Sequence, residues 1–588
     1  MLKALDRKVV RDAVRLRGQF LAIALVMACG VGVYLGMRAT MRSLDAARSG
    51  YYATERFGDV FASVKRAPEH VARRLGMIPG VQHVQTRVVA HVTLDVPGMV
   101  ETAIGKLVSI PDRGRPAVND LRLKSGRMPE PGRWNEVLVT QAFLDAHGFP
   151  LGTGIRAVIN GRRQTLRIVG SALAPEYIYA IAPGVIFPDD KRFGAFFMRR
   201  RGLATAFDLD GAFNDVSLRI ARDARLHAVL QRVDDVLERY GGTGAIGRVD
   251  QPSAFFVENE LKQLRTFAVM IPPLFLAVAA FLLNIVIGRI VAGQREEIAA
   301  LKAFGYRDRE VGLHFAKLVG IIVMVGCVLG VALGAFVGLS MTRLYGDYLA
   351  FPELPFQMGA RETIQGVGIT VAAAALGTWA AIRRTVALAP AEGMRPEAPP
   401  TYRRTLIERI GLSGLLPVTA RIILREIERK PLRACLSMAG VAMATGLTIV
   451  NSFAFDSVSH MLQTEFSLAQ HHDMQLTLYE PRSTATLSEL EELPGVVHAE
   501  PYRSVPVRMR VGARVKNASI TGVPAQATLT TLLDTELRAV PMPPEGLVLS
   551  SKLAEILGVS VGESVRVEVL EGQRPVRDVR VVRTVETY

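Results

Sequence analysis

Two runs without a charged side chain, residues 266–288 and 318–341, constrain this chain more than any other feature. Each exceeds the roughly 20 apolar residues that a helix needs to cross a bilayer. Between them, residues 289–317 are charged and contain GQREEIAALKAFGYRDREV at 293–311. The pattern predicts two membrane helices joined by a cytoplasmic elbow. Within the elbow, Ile298, Leu301 and Phe304 recur at spacing three, which gives one apolar face. Glu296, Glu297 and Lys302 fall elsewhere on the turn. Gly305 is placed to end that helix in the left-handed conformation, and Asp308 to cap the next one. Periodicity alone leaves open whether the segment docks a partner or merely connects two spans.

The rest of the composition points the same way. The chain has 588 residues, too many for one domain, and 49% of them are hydrophobic. Its net charge of +16 raises the question of nucleic acid. However, the Lys and Arg cluster in short segments beside apolar runs, as in cytoplasmic loops, with no aromatic-interleaved basic platform. This argues against a nucleic-acid partner. Cys29, Cys327 and Cys435 all fall inside predicted membrane helices, where they form neither a disulfide framework nor a zinc spacing.

Taken in order, residues 1–17 carry six basic side chains against Asp6 and Asp12. Residues 18–37 are uncharged and form a first, uncleaved span whose N-terminal side is cytoplasmic by the positive-inside rule. Residues 38–265 are then expected outside as an α+β domain with a stalk. Strands are expected at 87–95, 136–139, 155–159 and 165–169, and an amphipathic helix at 226–240. Asn160-Gly161 marks a hairpin. Spans follow at 266–288, 318–341, 363–382 and 434–455. A short outer loop, 342–362, separates the third and fourth, and a basic cytoplasmic linker, 383–433, separates the fourth and fifth. Residues 456–588 return to the outer side as a second α+β domain. The expected fold class is thus an α-helical transmembrane bundle of five spans with two α+β extracytoplasmic domains.

The second half repeats the first. Gly80 and Gly495 lie 415 apart and Asp59 and Asp473 414 apart, while Gly148 and Gly152 match Gly558 and Gly562 at 410. Near-constant offsets argue for duplication. The second copy stops short of counterparts to spans two to four, so three further spans are expected beyond residue 588.

Enzyme chemistry is not signalled. GTGAIG at 242–247 matches a dinucleotide fingerprint in letters but follows a charged helical stretch rather than a strand. No P-loop sequence occurs, and His471-His472-Asp473 lacks a distant ligand partner. No catalytic, cofactor-binding or metal residues are therefore assigned. Gly326, Gly330, Gly334 and Gly338 form a four-residue ladder suited to close helix packing in lipid. The spans hold no Asp, Glu, Lys, Arg or His, which argues against a proton-coupled carrier or ion channel. Pro272-Pro273 is expected to kink the second span, and Asn284 to bond a neighbouring backbone.

The elbow (294–311), LAPAEGMRPE at 388–397, REIERKPLRA at 425–434 and LGVSVGESVRV at 557–567 together resemble the FtsX-like permease family of ATP-binding cassette systems, which includes MacB-type and lipoprotein-releasing permeases. Tyr306 stands where that family has a small residue. The resemblance implies a MacB-like periplasmic domain, a bacterial inner-membrane location and a separate ATPase subunit that binds the ATP. It implies a permease that is not itself an enzyme and that drives export or extraction by mechanotransmission, with a membrane-fusion adaptor as a possible outer partner. The alternative is a non-transporting regulator of an envelope enzyme such as a cell-wall hydrolase. Carried over by position, Glu296, Glu297, Ile298, Leu301, Phe304 and Gly305 are the expected ATPase-contact set.

Overall fold

The computed structural model describes residues 4–586 apart from 100, 184, 186, 479–481 and most of 387–430. The expected linker at 383–433 and the motif at 388–397 lie largely or wholly outside the described residues, as does half of 425–434. The chain divides into two compact units. One is built from Met1–Gly50 and Glu258–Ser452, the other from Tyr51–Val257 and Phe453–Tyr588.

The first unit is helical. It contains α1 (Ala4–Arg15), most of α2 (Arg17–Thr54) and of α7 (Pro252–Gly293), then α8 (Arg295–Ala303), α9 (Asp308–Tyr348), α10 (Ala360–Val386) and most of α11 (Pro431–Gln463). Among the described residues, four helical stretches are long and apolar enough to cross a membrane: α2, α7, α9 and Met438–Ala469. α7 is 42 residues long and continuous through Pro272 and Pro273. At about 1.5 Å per residue it spans roughly twice the ~30 Å hydrocarbon core, so it continues well beyond any bilayer.

Small residues set the packing. Each ladder glycine of α9 faces the same stripe of α2. A Cβ added at Gly330 would lie 2.6 Å from Val31 Cβ, and one at Gly334 2.7 Å from Leu35 Cβ. The Gly326 site meets Ala24 and Met27, and the Gly338 site meets Ala39 and the Gly36 carbonyl. Backbone approach this close gains dispersion contacts that larger side chains would block. Asn284 Nδ2 donates to the Gly377 carbonyl at 2.6 Å, which joins α7 to α10.

The second unit holds three sheets. β1 (Val60–Pro68), β2 (Val81–Arg87), β10 (Ala212–Ile220) and β11 (Ile246–Gly247) form a four-stranded sheet in the order β11-β1-β10-β2. α3 (Val71–Gly76) and α6 (Leu226–Leu237) bury Val71, Leu75, Val229 and Val233 in one core with Val60 and Phe213. The expected helix 226–240 is realised as α6 plus a 3₁₀ turn, Glu238–Tyr240.

The second sheet has seven strands. They are β3 (Val89–Asp95), β4 (Ala103–Ile110), β5 (Arg122–Gly126), β6 (Glu136–Thr140), β7 (Gly154–Ile159), β8 (Arg162–Leu173) and β9 (Phe193–Arg199). Their order is β5-β8-β6-β9-β4-β3-β7, with β7 also paired to β8, so the sheet closes on itself. α4 (Gln141–His147) and α5 (Arg200–Ala206) pack against it. Asn160 and Gly161 take φ of 46° and 73° in the β7–β8 hairpin. The expected single strand 87–95 is instead two strands in two sheets. Arg87 is buried and paired to Glu176 and to Asp215, the latter at 2.7 Å, while the N–H of Val88 turns to Ser109 Oγ at 2.8 Å. Anchoring the Arg87 guanidinium and turning that N–H breaks the strand there.

The third sheet contains β12 (Arg503–Val511), β13 (Arg514–Gly522), β14 (Leu547–Ser550), β15 (Ser564–Val569) and β16 (Val576–Val585), with α13 (Ser551–Leu557) after β14; α12 (Ala485–Glu491) precedes it. Its order, β13-β12-β15-β16-β14, retraces β4-β3-β7-β8-β6 pair by pair, including the one parallel pair, β14–β16 against β6–β8. The duplication extends to the backbone. Gly148 and Gly558 end their helices at φ of 62° and 64°, and Gly152 and Gly562 turn at 96° and 97°.

Candidate functional site

The elbow is a helix, a left-handed turn and a second helix. α8 ends in a paired-hydrogen-bond cap. The N–H of Gly305 donates to Lys302 O at 3.0 Å, and that of Tyr306 to Leu301 O at 3.2 Å. Gly305 has φ of +92°, which only glycine adopts without strain. Asp308 does not cap α9. Arg307 holds that position, and its N–H donates to Glu310 Oε2 at 2.8 Å. Asp308 instead pairs with Lys302 across the turn at 2.7 Å. An Arg at the cap leaves the job to the Glu three residues on, as in half of a capping box.

The expected contact set divides by side. Ile298 is 3% exposed and belongs to one buried cluster with Val9, Ile290, Val311 and Phe315. It is core, not a docking surface, because α8 lies against α9 and α1. Leu301 is half-buried, while Glu296, Glu297 and Gly305 are exposed. Phe304 is 85% exposed and is the most prominent apolar side chain of the turn. Residues 307–310 continue this exposed, charged rim.

A further element, α1, belongs to the same site. Lys8 pairs with Glu297 and, at 3.5 Å, with Asp12. Asp12 accepts from Gln294 Nε2 at 3.2 Å, and Lys317 reaches Asp6 at 2.6 Å. Val9 is buried in the cluster, and Ala13 and Leu16 are packed beside it. α1 thus straps the base of α8 to the base of α9. The sequence carries a signal for this in Val9, Ala13 and Leu16 at helical spacing, although the basic side chains of 1–17 are the more obvious feature.

The arrangement is a small exposed apolar knob, Phe304, on a packed base held by ion pairs. Among the described residues, no group of three or more His, Cys, Asp or Glu is placed to hold a metal.

Residues 269–390 match the family model for the FtsX-like permease C-terminal region. No curated protein matches the chain. Among solved structures, the chain is similar to the extracellular domain of the noncanonic ABC-type transporter YknZ from Gram-positive bacteria, at 14% identity over 31% of this chain and 92% of that one, with a TM-score of 0.21. It is also similar to the periplasmic region of MacB from Actinobacillus actinomycetemcomitans, at 10% identity over 36% of this chain and 95% of that one, with a TM-score of 0.23.

Proposed function

We propose that this chain, an FtsX-like permease over residues 269–390, is the membrane subunit of an ABC-type system in which a separate ATPase supplies the work. The family match supports a transport-related role. The single observation that carries the finer reading is the exposed Phe304–Gly305 turn on a base in which Ile298 is buried and Lys8 pairs with Glu297 and Lys302 with Asp308.

In this account the ATPase grips Phe304, Glu296 and the charged rim on the cytoplasmic face of a bacterial inner membrane. Ile298 and its cluster pass the displacement to α9 and α1. The glycine seam couples α9 to α2, whose chain runs on into β1, while α7 continues from the β11 segment. The outer domains then move and do the work, exporting or extracting a substrate with or without a membrane-fusion adaptor. Uncharged spans suit this account, because no ion or polar substrate needs to cross between them.

Phe304→Asp tests the reading. It removes the knob without touching the core, so the protein should still purify at wild-type yield. Co-purification of the ATPase should fall about tenfold and stimulation of its hydrolysis should be lost, an apolar anchor being worth roughly 1.5–3 kcal/mol. Unchanged co-purification and unchanged stimulation would refute the contact.

A further inference from the structure

A cavity of about 280 Å³ opens where α2 leaves its uncharged run, between that helix, α7 and the start of α10. Four arginines and three carboxylates line it, and the pairing does not come out even. Arg42 pairs with Glu362 at 3.1 Å, and Arg48 with both Asp45, at 2.6 Å, and Glu258. All three carboxylates are thereby used. Among the described residues, Arg38 and Arg265 form no ion pair, although Arg38 also acts electrostatically on the Glu362 carboxylate, and Arg38 Nε is buried without a hydrogen-bond partner.

Their places in the sequence are specific. Arg38 is the first residue after the uncharged run 18–37, and Arg265 the last before 266–288. If those runs cross the bilayer, both guanidiniums stand where hydrocarbon gives way to headgroups. The anion most concentrated at that depth is the phosphate of a phospholipid, and the planar fork of a guanidinium matches phosphate oxygens two at a time. Met41 and Leu261 add apolar wall to the same cavity.

We propose that this cavity binds the phosphate of a membrane phospholipid through Arg38 and Arg265. The inference rests on the membrane-spanning reading of α2 and α7 but not on the ATPase contact. It gives the outer end of the first repeat a lipid-binding function separate from the elbow.

The test uses the full chain in detergent, titrated with dioctanoyl phosphatidylglycerol and followed by native mass spectrometry. Saturable binding of one lipid is expected, weakened about tenfold in Arg38→Gln and in Arg265→Gln. Arg343→Gln provides the control, since Arg343 also follows an uncharged run but does not line the cavity; it should bind as the wild type does. Dioctanoyl glycerol, which lacks the phosphate, should not bind at this site. Equal binding by the wild type and both cavity variants, or an equal loss in Arg343→Gln, overturns the site. Arginine-dependent binding of inorganic phosphate alone overturns the lipid assignment. If Arg38→Gln fails to fold, the exposed Arg265→Gln still decides the matter. Labelling that places position 38 away from the membrane boundary would defeat the underlying topology instead, and so is distinguishable from a failure of this site.

Discussion

Gly330 leaves the bundle no room. The atom that any larger residue must add there would sit 2.6 Å from Val31 Cβ and 3.2 Å from the Ala28 carbonyl, so two helices would have to part. Gly320, on the same helix, has nothing within 4 Å of that position. Gly330→Leu should therefore cost about 1–3 kcal/mol through overpacking, while Gly320→Ala should be neutral or gain up to about 1 kcal/mol through helix propensity. Thermal unfolding of the purified variants in one detergent checks both. Similar melting temperatures for the two would mean that the seam is not close-packed. Glu136 sets a different limit. Hydrogen bonds from Arg127, at 2.6 and 2.7 Å, and from the N–H of Glu130, at 3.0 Å, hold its carboxyl down to about 2 from a usual 4.5. A carboxyl lowered on folding contributes stability that is whole above the unfolded value and is lost as the pH falls towards the folded one. Emission of nearby Trp134 in a Trp379→Phe background should therefore change between about pH 4.5 and 2. Glu136→Gln should flatten that change, and an identical titration in both proteins would contradict it.

Among the elements, α1 makes the clearest prediction. If it straps α8 down, reversing the charge of Lys8 sets it against Glu297 and Asp12. Lys8→Glu should then raise hydrogen exchange across 295–303 at least about threefold, while exchange in the sheets stays unchanged. No change across 295–303 would mean that α8 is held by Ile298 and its apolar neighbours alone. The same scale shows what the residue pattern conveyed. The β7–β8 hairpin was legible because Asn160-Gly161 suits a turn with two positive φ values. The elbow cap was legible because Gly305 has few other uses there. β9 was not legible: all seven residues of FGAFFMR are buried, so the run lacks the alternation that marks a half-exposed strand. The break at Val88 was hidden too, because alternation continues across it and only the distant Glu176 and Asp215 reveal why Arg87 turns inward. The inward side of α8 was not legible for a similar reason. Ile298, Leu301 and Phe304 do share a face, but nothing local says that α1 and α9 cover one end of it and leave the other bare.

For the whole molecule, the duplicated sheets and the long helices carry the argument. Five strands recur in the same order with the same parallel pair, so the halves share a fold, not merely a few glycine positions. α2 and α7 each run from an uncharged stretch into the chain that forms the first two sheets. In the proposed account, a displacement entering at the turn after α8 reaches the sheets along the chain of these two helices. That route has meaning only if the turn faces the compartment where an ATPase works and the sheets face the opposite one. In a cysteine-free background, Phe304→Cys and Arg163→Cys each place one exposed thiol, on the turn and on β8 respectively. A membrane-impermeant maleimide applied to intact spheroplasts should label position 163 at once and position 304 only after permeabilisation. Labelling of position 304 in intact spheroplasts, with position 163 protected, would reverse the orientation and remove the basis for force transmission through this chain.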